Sequence, residues 1–480
     1  MPVDTKHPDY LKALERWKRN RDVLAGEDAV KAAGEKYLPR IGAQTDEEYK
    51  AYLKRASFFN ATARTHDGLT GMQFRKAPAA ELPGQLKDWQ LDIDLAGTPL
   101  EKFVQRAASD DIAVGRGGIL AEYPRAELRE RTDDETRAEG LRPYLVYYPA
   151  EAILDWREGR VNNRTTLAFL KLAHRSEEPK PDDPWVMQAV DRIRVYRLTP
   201  EGATVETYRN GKDGWAIEEP PVALFMAGKP ADEIPFVFTS GVQVEKSPLD
   251  DLVSMNLSHY RTVADYENSA HWASVPTPVF IGDIVSPDGQ PVAEVKLGSA
   301  SGINLGLGGD AKMLQAEMEE GLGAVLDRKE TYMAILGARI LAPDKRQVEA
   351  AETAAIHRAG ENSVLATRAN AVSSAVKKAL EFMARFANIS GSIDYDINTD
   401  YFPQPMSAQE LTAIVSSWMN GALTDTELFD ALKAGEVIKH DKDYDEHAAE
   451  AEEAQRRKDE AADAALTATV KAMAKGGRAE

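Results

Sequence analysis

The sequence predicts an α+β protein in which helices and an antiparallel sheet occupy different parts of the chain. Apolar residues recur at helical spacing behind capping signals in the first third. Residues 143–244 change to short β-branched and aromatic runs separated by turns. Two helical segments, 247–272 and 316–336, then flank a glycine-punctuated β unit, and the longest helical segment follows over 348–387. The chain is therefore expected to be built around long helices with a β-rich region before them.

Helix starts in the first third carry capping signals. Thr45 with Glu48 predicts a capping box, in which each side chain satisfies a free backbone N–H at the helix start. Thr98 followed by Pro99 gives a second start signal. The elements predicted here are helices over 8–20, 45–65 and 98–114 and a strand over 119–123.

Residues 143–244 are predicted to form an antiparallel meander. Thr199–Gly202 and Asn210–Gly211 are turn sequences, the second a hairpin signal. The acidic, proline-rich segment EEPKPDDP at 177–184 is predicted to be a loop. Its composition leaves order and disorder both open.

The helix over 247–272 has the clearest start in the chain. Ser247 can cap it, Pro248 suits a first turn that needs no N–H, and Asp250 can reach back to the cap. Pro276 forbids its continuation. Further elements predicted are a β unit over 277–307, helices over 316–336 and 348–387, a strand over 393–397, short helices opening at Ser407 and Thr424, and an alanine-rich charged tail from 441. The tail reads either as one solvated helix or as a segment that orders against neighbouring copies.

Composition excludes several classes of function. The net charge of −19 disfavours a protein that wraps nucleic acid through a basic face, although excess acid also simply favours solubility. The chain has no cysteine and therefore no thiolate chemistry. No apolar run reaches membrane-spanning length and the amino terminus is polar. A soluble protein, made inside the cell and without a membrane segment, is expected.

The sequence lacks the familiar catalytic patterns. GRGGIL at 115 carries two of three dinucleotide-loop glycines but follows a helix, so it predicts a helix-to-strand turn. His259 and His271 lie twelve residues apart on one helix and are interpreted as interface or surface residues rather than metal ligands. Asp394 with Asp396 fits an alternating strand better than a carboxylate site. We therefore expect no enzyme and no cofactor.

A small basic cluster lies in the break between two long helices. It contains Arg339, Lys345 and Arg346. One interpretation is a solvated turn in which Arg339 compensates a helix C-terminus. The other is a loop that projects from rigid supports and binds a partner.

Five stretches resemble the portal proteins of tailed bacteriophages, in particular a podophage-type portal-like family. They are YLKRASFFNATARTHDGLTGMQFRK at 52–76, RPYLVYYPAEAILDWR at 142–157, SPLDDLVSMNLSHYRTVADYENSAHWASVPTPVFIG at 247–282, LGARIL at 336–341 and ETAAIHRAGENSVLATRA at 352–369. The order of predicted elements is also similar to that family. The resemblance covers most of the chain before residue 440 and implies a portal-like fold.

This resemblance assigns a part of the ring to each segment. The implied parts are a wing of helices and β meander over 1–246, a stem helix over 247–272, a β clip over 273–315, a second stem helix over 316–336, a tunnel loop over 337–348, a wing helix and return strand over 349–405, a crown over 406–440, and a tail or barrel extension over 441–480. A chain of this kind implies a closed dodecameric ring in the virion, assembled in the host cytoplasm.

The same resemblance implies the sites and partners. The tunnel loop would touch passing double-stranded DNA through Arg339, Lys345, Arg346 and Gln347. The clip would contact the terminase large subunit and the head-tail adaptor through Asp283, Asp288, Gln290, Glu294 and Lys296. Major capsid and scaffolding proteins are further implied partners. The competing interpretation is a phage scaffold or adaptor that uses the same helices and never meets DNA.

Overall fold

The computed structural model describes residues 2–124, 139–161, 163–180, 182–274, 277–282, 308–314, 321–340, 363–401, 406, 408–435, 437–438, 444–453, 456–458 and 460. Helices and antiparallel sheets occupy different stretches of this described chain. The predicted α+β class is therefore confirmed.

The helices comprise one group before the large sheet and one after it. They are α1 Pro8–Ala25, α2 Glu27–Ala32, α3 Asp46–Arg55, α4 Ala61–Gln73, α5 Leu86–Trp89, α6 Leu100–Val114, α7 Asp250–Ser274, α8 Gly321–Arg339, α9 Val364–Phe386, α10 Ala408–Met419 and α11 Asp425–Ala434. Short 3-10 turns lie at Gly34–Lys36 and Ala150–Ala152.

Most strand residues lie between α6 and α7. The strands are β1 Ala79–Glu81, β2 Gly117–Glu122, β3 Tyr144–Pro149, β4 Ile153–Val161, β5 Arg164–Lys180, β6 Asp183–Thr199, β7 Gly202–Gly211, β8 Gly214–Ala223, β9 Phe225–Met226, β10 Lys229–Pro230, β11 Phe236–Phe238, β12 Thr277–Ile281, β13 Asp310–Leu314 and β14 Asp394–Asp396. Strands β4 to β8 form one five-stranded sheet in sequence order, which confirms the predicted meander. A second sheet has the order β11-β2-β3, and β1–β14, β9–β10 and β12–β13 are two-stranded.

Two hydrophobic cores hold these elements together. The first contains Trp17 of α1, Leu120 of β2 and Phe382 of α9, which places α1, α6 and α9 against the sheets. The second surrounds the first half of α7, where Tyr260 meets Phe58 edge to face at 5.6 Å between ring centroids. Helix α7 is thus anchored by its N-terminal half.

The predicted helix over 45–65 is wrong as one element. The capping box at Thr45 and Glu48 is present, but α3 ends at Arg55 and α4 begins at Ala61. The Asn60 side chain accepts from the Ala63 N–H and caps the new helix. Apolar periodicity continues across the break because both helices bury apolar faces, but residues 56–60 between them are not helical.

The predicted loop at 177–184 is also wrong. Strands β5 and β6 continue through it and pair almost to the turn, with Pro179 opposite Met187. Proline lacks a donor, and the ladder shifts register beside Pro179, which accommodates it. A smaller error concerns the β7–β8 turn, which lies at residues 212–213, two residues later than the predicted Asn210–Gly211 turn.

Three downstream predictions require correction. The helix predicted over 348–387 is not continuous, because Ser363 has extended backbone and its hydroxyl accepts from Ala366 N–H as the cap of α9. Residues 348–362 lie outside the described residues. Strand β12 pairs with β13 at 310–314, a strand the sequence prediction did not include. The helix predicted over 316–336 is described as α8 over 321–339.

Candidate assembly surface

Most of the sequence-predicted site residues lie outside the described residues. Lys345, Arg346 and Gln347 do so, as do Asp283, Asp288, Gln290, Glu294 and Lys296. Arg339 is the last residue of α8. The structure therefore brings none of these residues together in its described part, and the candidate site is built from the helices that support them.

Helix α7 begins in a network of buried polar groups. The Ser247 hydroxyl donates to the Ile112 carbonyl and accepts from the Leu249 N–H, so it caps the first turn as predicted. The carboxylate of Asp250 does not reach back to the cap. It accepts from the Asn20 amide at 2.7 Å and pairs with Arg16 at 3.3 Å. The start of α7 is therefore fixed to α1 and α6.

One buried amide fixes the next part of α7. The Oδ1 of Asn256 accepts from both the backbone N–H and the hydroxyl of Thr62, while its Nδ2 donates to the Phe59 carbonyl. Asn256 is fully buried. Because all these partners lie at the start of α4, this one side chain sets the position of α4 on α7.

Helices α7 and α8 pack side by side through specific polar contacts. The Lys329 ammonium donates to the Ser258 carbonyl, the Ser258 hydroxyl and the Thr262 hydroxyl at 2.6–2.9 Å. Burial lowers the pKa of Lys329. Next to it, Nε2 of buried His259 lies 3.4 Å from a Glu330 carboxylate oxygen. These contacts fix the rotation of α8 on α7.

Helix α8 carries two apolar stripes, of which α7 covers one. Met333 is 3% exposed and lies in the core around α7, with Leu336 packed against the same core. Val325, Tyr332 and Ile335 are 42%, 47% and 43% exposed. Positions 325 and 332 are seven residues apart and 335 is three further on, so the exposed residues form their own line along the helix. We call Val325, Tyr332 and Ile335 the assembly surface.

The helix pair extends beyond the core and ends in a two-stranded sheet. The last buried residue of α7 is Ala264, which leaves about 15 Å of helix beyond it at 1.5 Å per residue. Strands β12 and β13 follow, with Val279, Ile281 and Met313 exposed. A lone strand pair is marginally stable in water. The exposed apolar residues here and on α8 are therefore suited to burial against another molecule.

Elsewhere, three residues lie in the order of an acyl-transfer triad that the sequence did not indicate. Nδ1 of His66 lies 3.3 Å from Asp67 Oδ1, and Nε2 lies 3.2 Å from the Ser109 hydroxyl. However, the same Nε2 lies 2.9 Å from the Ser109 carbonyl oxygen. A carbonyl only accepts, so this contact requires the proton on Nε2, which then cannot accept the hydroxyl proton. The contact joins α4 to α6.

Two motifs weighed from the sequence have structural roles. Gly115 ends α6 in the left-handed conformation, and a Cβ on Gly118 would lie 2.0 Å from the Phe236 ring. Gly115 therefore serves the predicted helix-to-strand turn, and Gly118 permits close packing, which was not predicted. Asp394 and Asp396 flank buried Tyr395 on strand β14, which confirms the alternating-strand interpretation.

One stretch of the chain is similar to a known family model. Residues 248–387 match a family model described as a domain of unknown function, DUF4055. This match begins at the start of α7 and ends just after α9. No curated protein matches the sequence.

Two solved structures with some structural similarity to this chain come from gene transfer agent particles. A chain from the structure named "Virion of native gene transfer agent (GTA) particle" has a TM-score of 0.36 and 12% identity, over 83% of this chain and 94% of that one. A chain from "Neck of empty GTA particle computed with C6 symmetry" has a TM-score of 0.33 and 12% identity, over 82% of this chain and 93% of that one.

Among the described helices, none combines the length and apolar character needed to cross a bilayer.

Proposed function

We propose that this chain is a portal protein of a tailed-phage-type particle. Copies of it form a closed dodecameric ring at one capsid vertex, through which double-stranded DNA is packaged, retained and ejected. The observation that carries the proposal is the assembly surface on α8, an apolar line left free on a helix already paired with α7. The sequence resemblance described above supplies the class of protein.

The geometry of the helix pair favours a ring. A contact between the assembly surface and a different face of a neighbouring copy is heterologous, and a heterologous contact closes into a ring when its rotation allows. Within that ring, α7 and α8 act as the stem, the segment over 273–315 as the clip, and 337–348 as the tunnel loop. The clip meets the terminase large subunit and then the head-tail adaptor, while major capsid and scaffolding proteins surround the ring.

The proposed role is structural and not catalytic. A conduit must pass DNA without holding it, and the net charge of −19 per chain disfavours adhesion of a phosphate polymer. The sparse cations Lys345 and Arg346 would then provide the few loose phosphate contacts that the passage needs.

Electron microscopy of the purified full chain tests this proposal. Views down the assembly axis should show rings with an open channel wide enough for a DNA duplex. A lone monomer at micromolar concentration, even with scaffold and capsid proteins added, would refute the ring. A closed assembly with no channel would instead favour the scaffold or adaptor interpretation.

A further inference from the structure

The hairpin of β5 and β6 ends in an exposed apolar and acidic tip. We define the tip as residues 182–187, all of which are exposed. Its Trp185 is 93% exposed, and Val186 and Met187 follow it. Asp182 and Asp183 precede it. A tryptophan in this position is a strong candidate for an interface anchor, because indole rings dominate the energetics of protein contacts when they become buried.

Ion pairs hold this hairpin in a defined position. Arg192 of β6 pairs with Glu178 of β5 and Glu218 of β8, each at 2.6 Å. Arg209 of β7 pairs with the same two carboxylates at 3.3 and 3.4 Å. Four strands are thereby cross-linked close to the tip. These ion pairs restrict the motion of the hairpin, so less conformational entropy is lost when the tip docks.

A cleft of complementary chemistry lies on the same sheet, farther from the tip along β5 and β6. It has a volume of about 560 Å³, within the usual range for ligand pockets of ~300–1,000 Å³. Phe169 is surrounded by Arg157 at 4.9 Å, Arg197 at 5.0 Å and Lys171 at 5.7 Å from its ring centroid. The cleft is also lined by Val3, Tyr208 and Trp215.

The cleft keeps one positive charge that its own carboxylates do not balance. Arg157 and Lys171 share Asp155, at 3.0 and 3.5 Å. Arg197 pairs with Glu206 at 3.2 Å. Three cations therefore face two anions, and the side chains of Arg157 and Arg197 are each more than half exposed. An acidic segment that also carries an aromatic ring fits both the charge and the cation–π character of this cleft.

The tip cannot reach the cleft of its own chain. Lys171 lies on β5, and the tip begins eleven residues later along the same extended hairpin. At about 3.3 Å per residue the separation is ~36 Å. We propose that the tip of one copy docks in the cleft of the next copy, with Trp185 among the aromatic residues and Asp182 and Asp183 facing Arg157 and Arg197. This contact is head-to-tail, and it deepens the proposed function by adding a second subunit interface outside the stem helices.

Disulfide trapping tests the contact directly, because the chain contains no cysteine. The double variant Val3→Cys with Asp183→Cys places one thiol in the cleft and one on the tip. Oxidation should give a ladder of covalent dimers, trimers and higher species, whereas either single variant should give no ladder. Absence of a ladder from an assembly that microscopy shows to be intact would overturn this contact and leave the portal proposal standing. A ladder from a preparation in which microscopy shows no rings would support this contact and refute the portal proposal.

Charge exchange provides an independent measurement. Asp182→Lys with Asp183→Lys, and separately Arg157→Glu with Arg197→Glu, should each weaken self-association by about tenfold or more in sedimentation velocity. Combining all four changes should restore most of it. Asp213→Lys, in the exposed β7–β8 turn, is the matched control and should have no effect. If the arginine changes abolish binding of duplex DNA while self-association is unchanged, the cleft is a nucleic-acid site and the proposed contact is wrong.

Discussion

At the scale of single residues, buried polar side chains decide how α7 is held. Ser247, Asp250 and Asn256 all lie on its buried side and each bonds to another helix or its preceding loop. A buried polar group is costly unless it is satisfied. These three residues therefore define the orientation of the helix more sharply than its leucines do.

Asn256→Ala should destabilise the fold by about 1–3 kcal/mol, because it leaves the Thr62 N–H and hydroxyl and the Phe59 carbonyl without partners. The midpoint of urea unfolding, followed by tryptophan fluorescence, measures this loss. Asn268→Ala is the matched control, since Asn268 is on the same helix and its contact with Arg55 is exposed. Equal midpoints for the two variants would contradict the role given to Asn256.

His259 predicts a pH dependence of the α7–α8 contact. Burial lowers the pKa of His259 below its usual 6.5, Lys329 lowers it further, and Glu330 partly opposes the shift. The unfolded chain therefore takes up this proton first as pH falls. The contribution of neutral His259 to stability should be complete above about pH 6.5 and should decrease below it.

Urea midpoints at pH 7.5 and pH 5.0 measure this effect. The difference between the two midpoints should be smaller in His259→Gln than in the natural protein. His271→Gln, an exposed position on the same helix, should leave the difference unchanged. A pH response that is identical in all three proteins would assign it to other groups.

Residue-level prediction from the sequence succeeded where chemistry is local. The capping boxes at Thr45 and Thr424 are both present, because each depends on residues three positions apart. Asp250 failed for the opposite reason: its partners Asn20 and Arg16 are more than two hundred positions away. Sequence spacing carries no information on such contacts.

At the scale of elements, the two stripes of α8 should respond differently to charge. Val325→Asp with Ile335→Asp should leave the fold intact and reduce assembly by about tenfold or more, because carboxylates at a buried interface are costly. Sedimentation velocity measures the assembly, and circular dichroism verifies the helix content.

Two matched variants complete that experiment. Ala334→Asp adds one such charge at an exposed position about 100° around the helix from Ile335 and should assemble normally. Met333→Asp, in the stripe covered by α7, should unfold the helix pair. Normal assembly of the Val325 and Ile335 variant would mean that this line of residues does not contact a neighbour.

Element types were largely predictable, and boundaries were less so. Helix periodicity located α6 and α7, and the turn chemistry located the five-stranded meander. The two errors in strand prediction share a cause, because pairing between distant strands overrode local composition. Residues 177–184 look like a loop by their prolines and acids, yet the long β5–β6 ladder holds them in strands. Strand β13 was missed because its partner β12 lies about thirty residues earlier.

The candidate site shows the same division between local and distant information. Sequence periodicity predicted both helices, but the exposed stripe at Val325, Tyr332 and Ile335 is distinguished only by the structure, in which α7 covers Met333. Both stripes are equally apolar in the sequence. Which one is buried within the chain depends on where α7 lies.

At the scale of the whole molecule, charge governs how an assembly could treat DNA. The chain carries −19 overall, and in the proposed ring that charge would repeat at each subunit around the passage. Nonspecific binding of duplex DNA needs many phosphate contacts and weakens steeply with salt. The purified assembly should therefore bind duplex DNA weakly at physiological salt, and a tight, salt-resistant complex in an electrophoretic shift experiment would contradict a conduit.

Because the chain is strongly negative overall, a few cations at a narrow part of the proposed channel would affect DNA retention more than their small number suggests. Lys345→Ala with Arg346→Ala removes two charges per copy, from a segment between α8 and α9, and in a ring the loss repeats at each subunit. Ring assembly should survive, because the interfaces proposed above lie elsewhere, while packaged DNA length or retention should decrease. Particle yield measures assembly, and field-inversion gel electrophoresis measures the length of the packaged genome.

The control is Arg456→Ala with Arg457→Ala, which removes exposed cations of the C-terminal region. If the two double variants package and retain DNA equally well, Lys345 and Arg346 do not touch the passing duplex.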